Sequence, residues 1–282
     1  MSRWLHRELR IMVNPDQVTL LPVRRRLGLR GLRRTIDEPH IVSCDCVNGI
    51  PPWRAALRAL ETALLCFANG KTDATVILSN HFLRYVMVPW RAELTGAEED
   101  LSFARHCFAK VYGKEAAQQW ELRLSQEAPE VPRLASAVDT ELLDAMRGVF
   151  GGAGITLKSV QPHLMAVFNG VRGHLRQRSA WFALLEPGNL CLALLHRGCW
   201  LRVRTLRIGS EWREDLALIL EREAFLDDSS EVPHDVYLYD AISGDTTLPE
   251  IDSWQFHALP SGLLLQGAAS AMNQPFAVAL AG

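Results

Sequence analysis

WFALLEPGNLCLALLHRGCWLRVRTLRIG, residues 181–209, is a set of apolar runs cut by two turns. Glu186-Pro187-Gly188-Asn189 puts Pro and Gly where a type II turn needs a fixed negative φ and then a positive one. His196-Arg197-Gly198 supplies the second turn, so the stretch reads as a three-strand meander. A helix follows in WREDLALILEREAF (212–225) and a strand in HDVYLYD (234–240). The first half runs in the same order. LRIMVNPDQVTLLPV (9–23) is a hairpin around Asn14-Pro15-Asp16-Gln17, and PHIVSCD (39–45) is a third strand. PPWRAALRALETALLCFANG (51–70) is a helix: prolines at its start, Leu57, Leu60, Leu64 and Phe67 at helical spacing, Gly70 at its end. A strand follows from residue 74. Two copies of β-β-β-α-β predict two α/β lobes facing each other across a cleft.

Composition narrows the function classes. The chain has 282 residues, enough for two lobes with real cores. A net charge of -2 argues against wholesale nucleic-acid binding, which favours a strongly basic domain. No run approaches the roughly 20 apolar residues of a membrane span. The N-terminal MSRWLHRELRIM lacks the apolar core of a signal peptide. The six cysteines include no CxxC pair, and Cys44-x-Cys46 reads as two thiols on one side of a strand rather than a metal site. A reduced, cytoplasmic protein is expected.

ATVILSNHFLRYVMVPW (74–90) reads as strand, turn, strand. Ser79 and Asn80 are good turn formers, and His81 has no neighbouring Asp or nucleophile for a triad, so Ser79-Asn80-His81 is read as a turn. Thr95-x-x-Glu98 is a capping box for a helix with Leu101, Ala104, Phe108 and Val111 on one stripe. Two strands, 120–125 and 133–138, come next, and Asp139 caps a helix carrying Leu142, Leu143, Met146 and Val149. Asp227-Asp228-Ser229-Ser230-Glu231 lacks the spacing of a calcium loop. Trp53, Trp90 and Trp212 suit packing as well as binding.

The order of elements, with TVILSNHFLRYVMVPW, EEDLSFARHCFAKVYG, RLASAVDTELLDAMRGVFGGAGITLKSVQPHLMAVFNG and LEPGNLCLALLHRG, resembles the actin-like proteins of type IV pilus and type II secretion systems (PilM and the cytoplasmic part of GspL) over nearly the whole chain. The resemblance implies an α/β, actin-like fold: ribonuclease H-like, duplicated, two-lobed, with mixed sheets and an added small subdomain in the first lobe. Residues 1–73 would be the N-terminal part of the first lobe, 74–150 the added subdomain, 151–180 the return to the first lobe and 181–282 the second lobe. Ser79-Asn80-His81 would then lie in the way into the subdomain, remote from the nucleotide position.

At that nucleotide position the sequence departs from the resemblance. Actin-like ATPases carry an Asp at the first hairpin, followed by small residues whose backbone N–H groups approach phosphate. Met12 stands at the Asp position, and Asn14-Pro15 at the small-residue turn. Pro15 has no N–H, and Asp16 would repel phosphate. The second Asp-x-Gly pattern falls on Leu184-Leu185-Glu186, and the glycine-rich adenosine loop on Asp240-Ala241-Ile242. No catalytic residue, metal or cofactor is expected. The opposing expectation is a working ATP- and magnesium-binding ATPase with non-standard ligands.

RRRLGLRGLRR (24–34) brings together Arg24, Arg25, Arg26, Arg30, Arg33 and Arg34. Such a run suits an anionic surface, lipid head groups or an acidic partner. A nucleic acid is the alternative, although no aromatic residue is interleaved for stacking. A solvated loop between the second and third strands would also explain it. The resemblance further implies a groove on the first lobe that grips the short cytoplasmic tail of an inner-membrane protein, PilN-like, with an assembly ATPase as a further partner. The expected location is the cytoplasm, peripheral at the inner membrane. The candidate groove residues are Phe82, Arg84 and Tyr85 on one strand and Arg105 and Phe108 on the capped helix, unless the aromatics only fill the subdomain core.

Overall fold

The computed structural model describes residues 6–28, 31–45, 49–67, 72–226, 232–242, 248–249, 251 and 253–259. Three sheets organise it. The first contains β1 (His6–Val13), β2 (Gln17–Gly28), β3 (Gly31–Ile36), β4 (His40–Ser43), β5 (Thr72–Leu78) and β9 (Thr156–Pro162). Its order is β3-β2-β1-β5-β9, with β4 also on β2; β1 and β2 run antiparallel, whereas β5 is parallel to both β1 and β9. The second contains β10 (Ala180–Glu186), β11 (Asn189–His196), β12 (Cys199–Arg207), β13 (Asp235–Asp240) and β14 (Gln255–Ala258), in the order β12-β11-β10-β13-β14. Here too the meander is antiparallel and β10-β13-β14 is parallel. The duplicated unit read from the sequence is present in both mixed sheets.

The third sheet is small and wholly antiparallel: β6 (Leu83–Val88), β8 (Arg133–Asp139) and β7 (Trp120–Leu124), in the order β6-β8-β7. α2 (Ala97–Tyr112) and α3 (Lys114–Gln118) lie in the segment between β6 and β7, and Phe108 fills the centre of this subdomain with Ala104, Leu122 and Ala137. A two-pronged pair from Arg133 to Asp100 (2.7 and 2.5 Å) ties α2 to β8, and that hydrogen bond holds the Asp100 carboxyl below its ordinary range.

Around the sheets stand α1 (Pro52–Leu64), α4 (Thr140–Gly152), α5 (His163–Leu175) and α6 (Trp212–Phe225). Burial follows their apolar spacing: Leu57, Leu60 and Leu64 on α1, and Leu142, Leu143 and Met146 on α4. The Asp139 carboxylate accepts from the Glu141 N–H at 2.9 Å, as the capping reading requires. α5 is the joint between the lobes. Its Phe168 packs edge-on to Phe182 of β10 and 4.2 Å from the Trp200 ring of β12, so both lobes share one continuous core. α6 has a separate core on the other face of the second sheet, built on Trp181, Trp212, Leu216 and Leu220.

Four details differ from the sequence reading. The arginine run is a ribbon, not a loop, with β2 and β3 paired in register, so 40–43 is the fourth strand. Residues 72–78 belong to the first sheet, because β5 pairs on both sides with β1 and β9, and α4 buries its face in the main core; the inserted part is narrower than 74–150. The box before α2 closes one residue later than Thr95-x-x-Glu98: Gly96 is the N-cap and Glu99 takes the Thr95 N–H at 3.0 Å. On α2 itself Val111 is 62% exposed, off the buried stripe. Cys46 and residues 227–231 lie outside the described residues. No helix among the described residues is long and apolar enough to cross a membrane.

Candidate functional site

The carboxyl ends of β1, β5 and β10 converge where the lobes meet. Every residue of β10 is buried, and its last, Glu186, is only 1% exposed. Along β10, Leu184 and Glu186 share a face by the two-residue strand period, and Leu184 packs in the core common to both lobes. That periodicity carries the carboxylate toward the first lobe. Gly188, at φ 73°, completes the turn.

Three groups of the first lobe receive Glu186. The Ser79 hydroxyl donates to Oε2 at 3.2 Å. The Asn80 backbone N–H donates to Oε2 at 3.0 Å and to Oε1 at 3.3 Å. His163, the first residue of α5, places Nδ1 2.6 Å from Oε1. A carboxylate only accepts, which puts the ring N–H on Nδ1. A polar group this deeply buried is retained only when hydrogen-bonded, and these contacts supply the bonds.

The receiving groups are themselves fixed. Ser79 donates its N–H to Val13 O at 3.0 Å, and its hydroxyl caps the short turn Asn80–Phe82 by accepting from His81 N–H at 3.2 Å. Asn80 Oδ1 accepts from the Tyr85 hydroxyl at 2.6 Å and from the Leu164 N–H at 3.3 Å. His81 Nε2 lies 2.8 Å from Pro187 O, a second cross-lobe contact. Burial, then the neighbouring Cys191 and Glu186, push the Tyr85 hydroxyl well above the ordinary phenol range. Burial and the Glu186 charge likewise push the Cys191 thiol upward. The arrangement corrects the expectation for Ser79-Asn80-His81. It is a turn, but it stands in direct contact with the opposite lobe rather than remote from the meeting point.

Beside this clasp opens a cleft of about 520 Å³. The first hairpin contributes Asn14, Pro15 and Asp16, and the start of α1 contributes Trp53. The subdomain adds Phe82, Arg84 and Trp120, and the second lobe adds Pro187 and Arg207, with Asp139 at the base of α4. Aromatic surface and charges of both signs therefore face one space. Among the described residues no group of three or more potential metal ligands occurs.

The candidate residues separate on this geometry. Asn14, Pro15, Asp16, Phe82 and Arg84 come together in the cleft. Met12 is the next-to-last residue of β1, paired with Thr19 and Ile77, and Leu184 is core. Asp240 accepts from the Ile242 N–H at 2.7 Å and lies 3.7 Å from Arg213. Three groove candidates lie elsewhere. Tyr85 belongs to the clasp, Phe108 is fully buried in the subdomain, and Arg105 donates to the carbonyls of Ala117 and Trp120. Alternation along β6 separates Arg84 from Tyr85, and the α2 stripe faces its own sheet. Arg24 pairs with Asp37 at 2.8 Å. Arg25 stands opposite Arg34 and Arg26 opposite Arg33 in the ribbon, while their side chains and Arg30 lie outside the described residues. The sequence reading missed His163, Trp53 as a cleft wall, Trp120 and Arg207. Only a lone His at a helix start after Gln161-Pro162 marked the first.

No protein-family model matches the sequence, and no curated protein matches it. Solved structures do. The PilM-PilN type IV pilus biogenesis complex contains a chain that superposes with a TM-score of 0.65 at 15% identity, over 93% of this chain and 97% of that one. The cytoplasmic domain of EpsL, an inner membrane component of the type II secretion system of Vibrio cholerae, gives 0.59 at 14% identity, over 95% and 97%. A Bacteroides thetaiotaomicron protein with an actin-like ATPase fold and unknown function gives 0.57 at 9% identity, over 93% and 95%. The chain has the actin-like fold, and its similar structures include those of the pilus and secretion proteins that the sequence resembled.

Proposed function

We propose that this actin-like chain is a nucleotide-independent scaffold of a type IV pilus or type II secretion-like inner-membrane platform, and that its cleft holds the cytoplasmic tail of a membrane partner. The observation that carries the reading is the clasp. In this fold the lobes close on a nucleotide and its metal; here Glu186 joins them directly through Ser79, Asn80 and His163. The residues around it do not fit magnesium and ATP. Met12 is no metal ligand, Pro15 offers no N–H to a phosphate, and Asp240 spends its carboxylate on Ile242 and Arg213. The chain acts by binding, not by turnover.

The cleft suits a peptide. Trp53, Phe82 and Trp120 offer apolar and aromatic surface for an anchor, and Arg84 and Arg207 offer donors for an acidic side chain. A tail carrying an apolar anchor beside an acid is the expected occupant, PilN-like in its attachment to the inner membrane. The arginines of 24–34 add salt-sensitive attraction to an anionic leaflet, and an assembly ATPase is a further partner.

Calorimetry with the cytoplasmic tail of the membrane protein encoded alongside tests the reading. Binding is expected, weakened at least about tenfold when Trp53 and Arg84 are both changed to Ala. A ligand at one hundred times its dissociation constant stabilises a fold by about 2.7 kcal/mol, so ATP with magnesium is expected to leave the unfolding temperature unchanged. Saturable magnesium-dependent ATP binding, or a tail that ignores the double variant, overturns it.

A further inference from the structure

Ser79, Asn80 and His163 come from two separate segments of the first lobe, the end of β5 and the start of α5, yet their donors meet at one point. Ser79 and Asn80 are positioned from within the first lobe, whereas the His163 ring also meets Tyr239 of β13 edge-on, 5.8 Å between centroids. Ser79 hangs from Val13, Asn80 is held by Tyr85 and Leu164, and His163 is the first residue of a 13-residue helix. The point also lies at that helix's amino end, where the macrodipole favours negative charge. What occupies it is a carboxylate, delivered from the other lobe and sealed from solvent.

We infer that the first lobe carries a built oxyanion-binding site, and that Glu186 fills it in cis as a tethered carboxylate ligand that locks the two lobes together. The lock reaches the cleft through the chain itself. Asn80 is followed by His81 and Phe82, and Glu186 by Pro187, all of them cleft walls, with His81 bonded to Pro187 across the lobes. Emptying the site therefore frees the cleft on both sides. It rests on the reading that the lobes join without nucleotide, but it is measured with neither nucleotide nor tail, so the two fail separately.

Chemical rescue is the test. Glu186→Ala removes the tethered carboxylate and leaves the donors around a space that formate can enter. A ligand of so few atoms reaches at best about millimolar affinity, so sodium formate is titrated into the high-millimolar range against sodium chloride at equal ionic strength. Glu186→Ala is expected to unfold at lower temperature than the parent and to regain most of that loss in formate but not in chloride. The parent and Glu186→Gln, whose site stays filled, are expected not to respond to formate. Equal responses of parent and Glu186→Ala, or none from either, overturn the inference. Should Glu186→Ala not fold, Glu186→Asp withdraws the carboxylate by one methylene. Amide exchange at Ser79–Phe82 and at the 186–189 turn is then expected to rise together, at least tenfold; exchange that rises at one segment alone, or at neither, overturns it.

Discussion

The first and second hairpins occupy the same place in the duplicated unit, and each carries one proline and one acid at its turn. Their fates are opposite. In Asn14-Pro15-Asp16 the acid follows the proline, lies outside the strands and is exposed; the backbone there does the structural work, with Asp16 O accepting from the Cys44 N–H at 2.7 Å. In Glu186-Pro187-Gly188 the acid precedes the proline, is the last residue of β10 and is buried between the lobes. A shift of two positions around proline separates a solvated carboxylate from one that closes the molecule. Duplication supplies two matching frames, and strand periodicity decides which side chain each frame delivers to the joint.

The sharpest way to break this contrast is to remove a receiver. His163→Leu keeps the helix start filled but leaves Glu186 with the Ser79 and Asn80 donors alone. Losing a hydrogen bond to a buried carboxylate typically costs about 1.5–3 kcal/mol, and that loss is expected in urea unfolding. A cost under about 1 kcal/mol would mean that the clasp does not hold the lobes.

Tyr85→Phe probes the support one step removed. It deletes the hydroxyl that donates to Asn80 Oδ1, which still accepts from Leu164, so a loss of about 1 kcal/mol is expected. The pH dependence has a definite sign. The native hydroxyl is raised above its ordinary 10.0, chiefly by burial, so its contribution is complete below that value and fades as pH climbs through the native one. Tyr85→Phe should therefore flatten the alkaline fall in stability. A variant with the parent's alkaline profile would put the titrating group elsewhere.

Much of this was legible in the sequence. Hairpins at 9–23 and 181–196, the Asp139 cap and the Pro187-Gly188 turn are local patterns whose physics is complete within a few residues. The clasp was not, because Ser79 and Glu186 lie 107 residues apart and neither shows in its own neighbourhood what it will meet. A Glu closing an otherwise apolar strand was the one visible oddity. Alternation along β6 announces two faces without saying which one looks into the cleft, so Arg84 and Tyr85 read alike as groove candidates although one lines the cleft and the other bonds Asn80. The α2 stripe was read correctly as a stripe at Ala104 and Phe108, and its target, the subdomain's own sheet, was fixed only by the fold.

The smallest expected effect belongs to the first hairpin. Asp16 is exposed, and its carbonyl, which an Ala retains, makes the contact to Cys44. Asp16→Ala should therefore change stability by no more than about 0.5 kcal/mol, against about 1.5–3 kcal/mol for His163→Leu at the mirrored joint. The same substitution tests the cleft. Its only acid in that turn is gone, so a phosphate-bearing ligand would meet less repulsion, while Pro15 still offers no N–H and Met12 no carboxylate. ATP binding is expected in neither the parent nor this variant. Tail binding should change only modestly and in a salt-dependent way, since one exposed charge at the rim is screened over roughly 8 Å at physiological ionic strength. A large loss of stability on Asp16→Ala would show that the two hairpins carry comparable weight, and the contrast between an open frame and a locked one would not stand.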